Sequence, residues 1–226
     1  MVYLWTEDTG AGLHFWKLVN EYCFENKLVI ESKGSNQGLL DAVKGLTPKE
    51  GEVYLLAFDI VYDNQDIVNK LLDLQQEIAK NPAQIKLLDL TCFEEIIFKF
   101  SKLIEWTGTG RKDKIQFREH ILDALSNHKI DITKISDEKT MNYLMNFKRF
   151  TTERVLKSIT YELTDGDEWS VKGDEMGKCW YKDCCVLEKP EKACCNVKDM
   201  LGQEKIKEVF EEGMLWKIKL KDSLLS

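Results

Sequence analysis

Apolar residues along positions 1–106 follow two alternating periods, and this alternation predicts a regular succession of strands and helices. Four short apolar runs rich in strand-forming residues predict strands: MVYLWTE, KLVIES, VYLLAFD and IKLLDL. The stretches between them carry apolar residues three and four positions apart, which is the spacing of an amphipathic helix. Strands that alternate with helices favour a parallel sheet covered by helices and joined by right-handed crossovers. The fold class expected for this part of the chain is therefore α/β.

Helical periodicity continues beyond the fourth strand, where three segments each predict one helix: CFEEIIFKFSKLIEW, KIQFREHILDALSNHKI and DEKTMNYLMNFKRFTTERVLKSITYEL. A polar, glycine-containing stretch then leads into a cysteine-rich segment and a last predicted helix, VKDMLGQEKIKEVFEEG. These changes in pattern predict three parts: an α/β domain over 1–108, a helical segment over 109–165 and a cysteine-rich lobe over 166–226.

The chain has 226 residues and a formal net charge of −7, which suits one domain with an appendage or two small domains. The acidic balance argues against a protein that coats nucleic acid through general positive charge, although it is compatible with a local basic face. No run reaches the ~18 apolar residues of a membrane span. Glu7 and Asp8 interrupt any signal peptide. We therefore expect a soluble cytoplasmic protein with no membrane partner.

Charged residues follow three of the predicted strands at the end where ligands usually bind. Glu7 ends the first strand, Lys33 follows the second, and Asp59 ends the third, with Asp63 four residues later. In open parallel sheets, ligands bind outside the carboxyl ends of the strands, so topology alone predicts that these side chains converge. Two interpretations stay open. The acids open loops and cap helices, or they converge to hold a divalent metal.

Four sequence blocks carry a resemblance to a known family: VYLWTE, ESKGSNQGLLDAV, LLAFDIVYDN and LLDLTCFEEIIFKF. In this order they resemble TOPRIM-like proteins, in particular the group of overcoming-lysogenization-defect nucleases and RloB-like proteins. The resemblance covers residues 1–106 and implies a TOPRIM-like fold with a Mg²⁺ (or Mn²⁺) site. It also implies cleavage, joining or synthesis of nucleic acid strands. A nuclease-like role in phage defence or in a mobile element is the function that it favours.

The resemblance assigns a role to five side chains of this sequence. Glu7 would be a metal ligand or general base, and Asp59 and Asp63 would be metal ligands. Lys33 would contact a phosphate, and Glu94 would be a further ligand or an orienting group. These assignments agree with the chemistry of Mg²⁺, which prefers oxygen ligands. Held against a phosphate, such a metal activates a water and neutralises charge on the phosphate oxygens.

Three features depart from the family pattern, and one of them is that residues 10–12, Gly-Ala-Gly, stand where relatives have a further acidic residue. Val61 stands where the family has the second aspartate of an Asp-x-Asp motif, and a valine cannot bind a metal. Asp8 follows the glutamate, where relatives usually have a glycine. Either Asp8 and Asp63 complete a rearranged metal site, or the site is degenerate. A degenerate site predicts a different class of protein, a non-catalytic interaction or regulatory protein that binds a protein or nucleotide partner.

Five cysteines in the pattern C-x4-C-C-x8-C-C lie close together: Cys179, Cys184, Cys185, Cys194 and Cys195. In a cytosolic protein, such a group is more often a metal site than a disulfide framework. A structural zinc site takes four such ligands. The expected ligands are Cys179, Cys184, Cys194 and Cys195, with Cys185 as a substitute for a neighbour. Buried or redox-active thiols and a disulfide are the alternatives.

Basic residues concentrate around the second half of the longest predicted helix: Lys148, Arg149, Arg154 and Lys157. They could face a nucleic-acid backbone, because phosphate contacts supply affinity that does not depend on sequence. A solvated helix face is the alternative interpretation.

Overall fold

The computed structural model describes residues 1–107, 112–164, 208, 209, 211 and 212. A four-stranded parallel sheet lies at the centre of the described part and is flanked by helices, which confirms the α/β class expected from the alternating pattern. The elements of residues 1–107 are, in order, β1 Val2–Thr6, α1 Gly10–Phe24, β2 Leu28–Ser32, α2 Asn36–Lys44, β3 Val53–Ala57, α3 Gln65–Ile78, β4 Ile85–Leu87, α4 Phe93–Lys99 and α5 Leu103–Thr107.

The strands lie in the order β2-β1-β3-β4, so that β1 and β3 are the two central strands. These two strands are parallel and in register, from Val2 opposite Val53 to Thr6 opposite Ala57. All but one residue of each is buried, as expected for central strands of a sheet that is covered on both faces. The residues that follow Thr6 and Ala57 therefore emerge side by side at the carboxyl edge of the sheet.

The described segment 112–164 is mainly helical and contains one small hairpin. Its elements are α6 Lys112–Ala124, β5 Leu125–Ser126, β6 Lys129–Ile130, a 3₁₀ helix Ile132–Lys134, α7 Glu138–Met145 and α8 Thr152–Thr164. The strands β5 and β6 pair antiparallel with each other and do not join the central sheet.

Three predicted helices are interrupted where their apolar pattern continues. The backbone becomes extended at Phe100, with ψ of 124°, and this separates α4 from α5. Helix α6 gives way to the hairpin, whose turn residues Asn127 and His128 have φ of 50° and 59°. Between α7 and α8, the loop residues Phe147 and Phe150 still pack against the core. In the first and third of these segments, phenylalanines between the helices are buried or partly buried and extend the helical pattern, so periodicity alone predicts one helix where the chain forms two.

Two hydrophobic clusters hold the layers together, one on each face of the sheet. The larger cluster joins Leu4 and Leu55 to side chains of α1, α4, α6 and α8. The smaller cluster joins Trp5 and Leu56 to side chains of α2 and α3. Neighbouring strand residues point to opposite faces, which explains why adjacent positions enter different clusters.

The larger cluster also contains Ile121 and Leu156, so the segment 112–164 and the sheet share one core. The division into three parts stays a prediction. The predicted zinc lobe, with all five of its cysteines from Cys179 to Cys195, lies outside the described residues. None of the described helices is both long and apolar enough to cross a membrane.

Candidate acidic site at the carboxyl edge of the sheet

Glu7 and Asp59 lie side by side because β1 and β3 run in register at the centre of the sheet. The N–H of Asp59 donates a hydrogen bond to Oε1 of Glu7 over 2.7 Å. The N–H of Glu7 donates to the carbonyl oxygen of Ala57 over 3.4 Å, which prolongs the pairing of the two strands. Asp59 is only 8% exposed. The ends of the two central strands thus place two largely buried acids next to each other.

Asp8 is fixed just beyond β1 by hydrogen bonds from both sides. Its Oδ2 accepts from the hydroxyl of Thr6 over 2.6 Å and from Nε1 of Trp16 over 2.9 Å. Gly12 in the first turn of α1 leaves room for this carboxylate, since a Cβ at that position would overlap Oδ1 of Asp8. The helix that follows β1 therefore packs directly against Asp8.

Glu94 contributes a fourth carboxylate from the first turn of α4. It is 5% exposed, and its Oε2 is buried with no hydrogen-bond partner among the described residues. The charge of Glu94 acts on Asp59, and the charge of Asp8 acts on Glu94. The four acids therefore form one electrostatic group. We call Glu7, Asp8, Asp59 and Glu94 the acid cluster.

Lys157 brings a positive charge to the acid cluster from α8. Its Nζ lies 3.8 Å from Oε1 of Glu94 and 2.7 Å from Oε1 of Glu153. Burial by itself lowers the pKa of Lys157, but the charges of Glu94 and then Glu153 raise that pKa more, so that the net shift is upward. The charge of Lys157 in turn favours the ionised form of every member of the cluster, and it partly opposes the net upward shift of their pKa values.

Burial is the main reason why all four acids resist ionisation. Burial raises the pKa of Glu7 from 4.5 to about 7. The hydrogen bond from Asp59 lowers this pKa, and the charge of Asp8 raises it further. Burial also raises the pKa of Glu94 to about 7, although Lys157 opposes the shift. The pKa of Asp59 is well above its usual range, through burial and then the charges of Glu7 and Asp8. Burial raises the pKa of Asp8 despite the hydrogen bonds that it accepts.

Perturbed acids that share one location are characteristic of functional sites. Glu7 and Asp59 are in direct contact, and Glu94 acts on Asp59 through its charge, so three of the five side chains named from the sequence belong to the acid cluster. Asp8 was expected only as part of a rearranged site, and Lys157 only as one basic residue of a helix face. No local motif marks Lys157, because the docking of α8 against α4 brings it to the acids.

The other two predicted side chains make different contacts. Oδ2 of Asp63 accepts hydrogen bonds from the N–H of Thr152 over 2.8 Å and from its hydroxyl over 2.7 Å. Asp63 therefore caps the start of α8, a helix far away in sequence. Lys33 pairs with Oε2 of Glu31 over 2.6 Å and lies 3.8 Å from the centroid of the Trp5 ring.

The chemistry of the acid cluster suits a hard cation, although it is not arranged as a closed metal cage. The described residues contain no group of three or more His, Cys, Asp or Glu side chains placed around a metal position. Mg²⁺ commonly uses only one or two protein carboxylates, and waters and substrate phosphates complete its octahedron. The acid cluster offers oxygen donors of this kind, including the unpartnered Oε2 of Glu94.

Neither protein-family models, nor curated proteins, nor solved structures give a match to this chain.

Proposed function

We propose that the acid cluster binds Mg²⁺ and that the protein performs metal-dependent phosphodiester chemistry on nucleic acid, with strand cleavage as the reaction. One observation carries this proposal: four acids with raised pKa values meet at the carboxyl edge of a parallel sheet, beside one lysine. Buried like charges are unfavourable unless protons or a cation neutralise them. A divalent cation is the ligand whose charge best balances such a group.

The residues of the site divide the chemical tasks among them. Asp59 and Glu94 would hold the metal, and the carboxylate of Asp8, which two hydrogen bonds already orient, would add negative charge beside them. A bound Mg²⁺ would supply the charge that activates a water and neutralises phosphate oxygens. Glu7 has a pKa of about 7, so it can accept or release a proton near neutral pH, as a general base must. Lys157 offers a positive charge to a phosphate at the same edge.

The family resemblance supports this proposal from an independent direction. TOPRIM-like proteins use a glutamate after the first strand and aspartates after a later one, and Glu7 and Asp59 stand at those positions. A setting in phage defence or in a mobile element rests on the resemblance alone. The predicted structural zinc in the cysteine-rich lobe stays a separate proposal, which metal analysis of the purified protein would test.

A non-catalytic role is the second candidate, and Val61 favours it. This residue stands in place of the second motif aspartate and is 1% exposed, so it is a core residue. Lys157 moreover places a positive charge beside Glu94, so part of the negative charge of the acid cluster is balanced without any metal. A TOPRIM-like protein with a degenerate site would then bind a protein or nucleotide partner and leave phosphodiester bonds intact.

The test uses the full chain with Mn²⁺ as a spectroscopic substitute for Mg²⁺. Electron paramagnetic resonance of free Mn²⁺ should show binding by the wild-type protein, and Asp59→Asn should weaken that binding by about 10- to 100-fold. Labelled DNA and RNA, single- and double-stranded, should be cleaved in Mg²⁺ by the wild-type protein and not by Asp59→Asn. Asp73→Asn is the matched control, because Asp73 is an exposed acid on α3 that pairs only with Lys44 in the described structure.

Mn²⁺ binding that is absent in the wild-type protein, or that persists unchanged in Asp59→Asn, contradicts the metal site. Metal binding without cleavage of any of the four substrates favours the non-catalytic candidate.

A further inference from the structure

We infer that Lys157 is the resident counter-ion of the acid cluster, and that the site takes up a divalent cation together with a phosphate group rather than the cation alone. This inference deepens the proposed function and rests on it. The ligand class is a metal–phosphate pair, such as one phosphate of a nucleic acid strand with its Mg²⁺.

Lys157 places its positive charge beside a carboxylate that would bind the cation. Its Nζ lies 3.8 Å from Oε1 of Glu94, whose second oxygen is buried without a partner among the described residues. A metal that binds Glu94 must therefore share this carboxylate with the ammonium group or displace it. A cation bound to Glu94 would lie close to the ammonium group, and the two positive charges would repel each other. A bare cation and Lys157 thus compete for the acid cluster.

Helix α8 is fixed in the core, whereas the side chain of Lys157 is able to turn. Val155, Leu156 and Ile159 are 0% exposed, so the helix itself is held in place. The Lys157 side chain is 44% exposed and carries its charge on a flexible four-carbon stem. The ammonium group can therefore leave Glu94 without any movement of the helix.

A phosphate gives the displaced ammonium group a new partner. Glu153, one helical turn before Lys157, lies 2.7 Å from Nζ and pairs with it near the edge of the sheet. A phosphate that arrives with the metal brings negative charge to that edge, and the ammonium group can transfer from Glu94 to a phosphate oxygen. The cation and the phosphate must then strengthen each other's binding, and this coupling must be reciprocal.

The test measures Mn²⁺ binding by the full chain with and without thymidine 5′-monophosphate, which carries a phosphate but no phosphodiester bond. In the wild-type protein the nucleotide should tighten Mn²⁺ binding about tenfold, a typical coupling between two ligands. In Lys157→Met, Mn²⁺ alone should bind about tenfold more tightly than in the wild-type protein, and the nucleotide should add little. Lys148→Met, at an exposed position in the loop before α8, should behave like the wild-type protein.

A second variant separates the charge of Lys157 from its contribution to folding. Lys157→Arg keeps the positive charge and should keep the coupling, and thermal unfolding verifies that both variants fold. Mn²⁺ affinity that responds neither to the nucleotide nor to Lys157→Met overturns the inference and leaves the metal site standing. Wild-type protein that binds no Mn²⁺ under either condition overturns the proposed function as well.

Discussion

Acidic side chains occupy two contrasting environments in this molecule. Asp131 and Asp137 each accept hydrogen bonds from the N–H and the hydroxyl of one threonine, Thr133 and Thr140 respectively. These hydrogen bonds lower the pKa of both aspartates. In the acid cluster, by contrast, burial raises the pKa of every member.

The contrast shows that the surroundings of an acid, rather than its residue type, decide whether it stabilises the fold. The capping aspartates stabilise the folded chain when charged, because the N–H groups at a helix start otherwise lack partners. The members of the acid cluster destabilise it when charged, because burial removes their water. Natural proteins accept such a loss of stability mainly where a site needs it for function.

Removal of one charge from the acid cluster should give the largest effect. The pKa of Glu94 is about 7 instead of 4.5. Ionising this residue at pH 8 therefore costs about 3 kcal/mol, from about 1.4 kcal/mol for each pKa unit. Glu94→Gln should raise the free energy of unfolding at pH 8 by up to about 3 kcal/mol, as measured by urea denaturation.

The pH dependence of this gain tests its electrostatic origin. Because the folded pKa of Glu94 lies above the unfolded value, its stabilising contribution is complete below pH 4.5 and is lost as the pH rises towards 7. The advantage of Glu94→Gln should therefore vanish at pH 4.5. Glu50→Gln, at an exposed turn position, should change little at either pH. An equal gain in the free energy of unfolding of Glu94→Gln at pH 4.5 and at pH 8 would contradict an electrostatic origin.

Loss of the long-range cap on α8 should have the second largest effect, with the opposite sign. Asp63→Ala removes the acceptor for the N–H and hydroxyl of Thr152 and should lower the free energy of unfolding by about 2 kcal/mol. Asp63→Asn keeps an acceptor oxygen and should recover most of the loss in urea denaturation. Unchanged stability of Asp63→Ala would show that α8 does not depend on this cap.

A local cap should matter less. Asp137→Ala removes the acceptor at the start of α7 and should lower Tm by about 2–4 °C at pH 7, measured by circular dichroism. Asp137→Asn should lower it little, since asparagine caps about as well. Because the folded pKa of Asp137 lies below its ordinary 3.8, the contribution of its charge is present above pH 3.8 and is lost as the pH falls further. If the difference in Tm between Asp137→Ala and the wild type grew as the pH fell below 3.8, the charge of Asp137 would not be its cause.

The smallest effect belongs to a third environment, the exposed ion pair. Lys70 and Asp66 lie one helical turn apart on α3, 3.0 Å from each other, and the Asp66 side chain is 80% exposed. Lys70→Ala should change the free energy of unfolding by no more than about 0.5 kcal/mol, and 1 M salt should leave the variant and the wild type alike. A larger change would mean that exposed charges matter here as much as buried ones.

The order of strands and helices is predictable from this sequence, whereas the interruptions of its helices are not. The spacing of apolar residues distinguishes strands from helices, and the alternation of strands with helices indicates a parallel sheet. The turn at Asn127 and His128 uses two left-handed residues without the glycine that commonly marks such a hairpin, so its local signal is weak. Phe147 and Phe150 continue the helical pattern because a loop can also bury aromatic rings.

In the candidate site too, contacts between neighbouring strands are predictable from the sequence, whereas contacts between distant segments are not. Glu7 and Asp59 are predictable as neighbours because they follow adjacent parallel strands. The cap that Asp63 provides is not predictable, since Thr152 lies 89 residues away. Lys157 likewise reaches the acids only through the packing of α8, which depends on contacts spread over the whole core.

Because β1 lies between β2 and β3, a chain emerging from the ribosome passes through a vulnerable stage. The pairing of Val2 with Val53 cannot form until more than fifty residues have left the exit tunnel. Until then, the apolar strand at the middle of the future sheet has one open edge, which can pair with another chain. Parallel pairings between distant segments also form slowly. Nascent chains should therefore need chaperones most just before β3 is released.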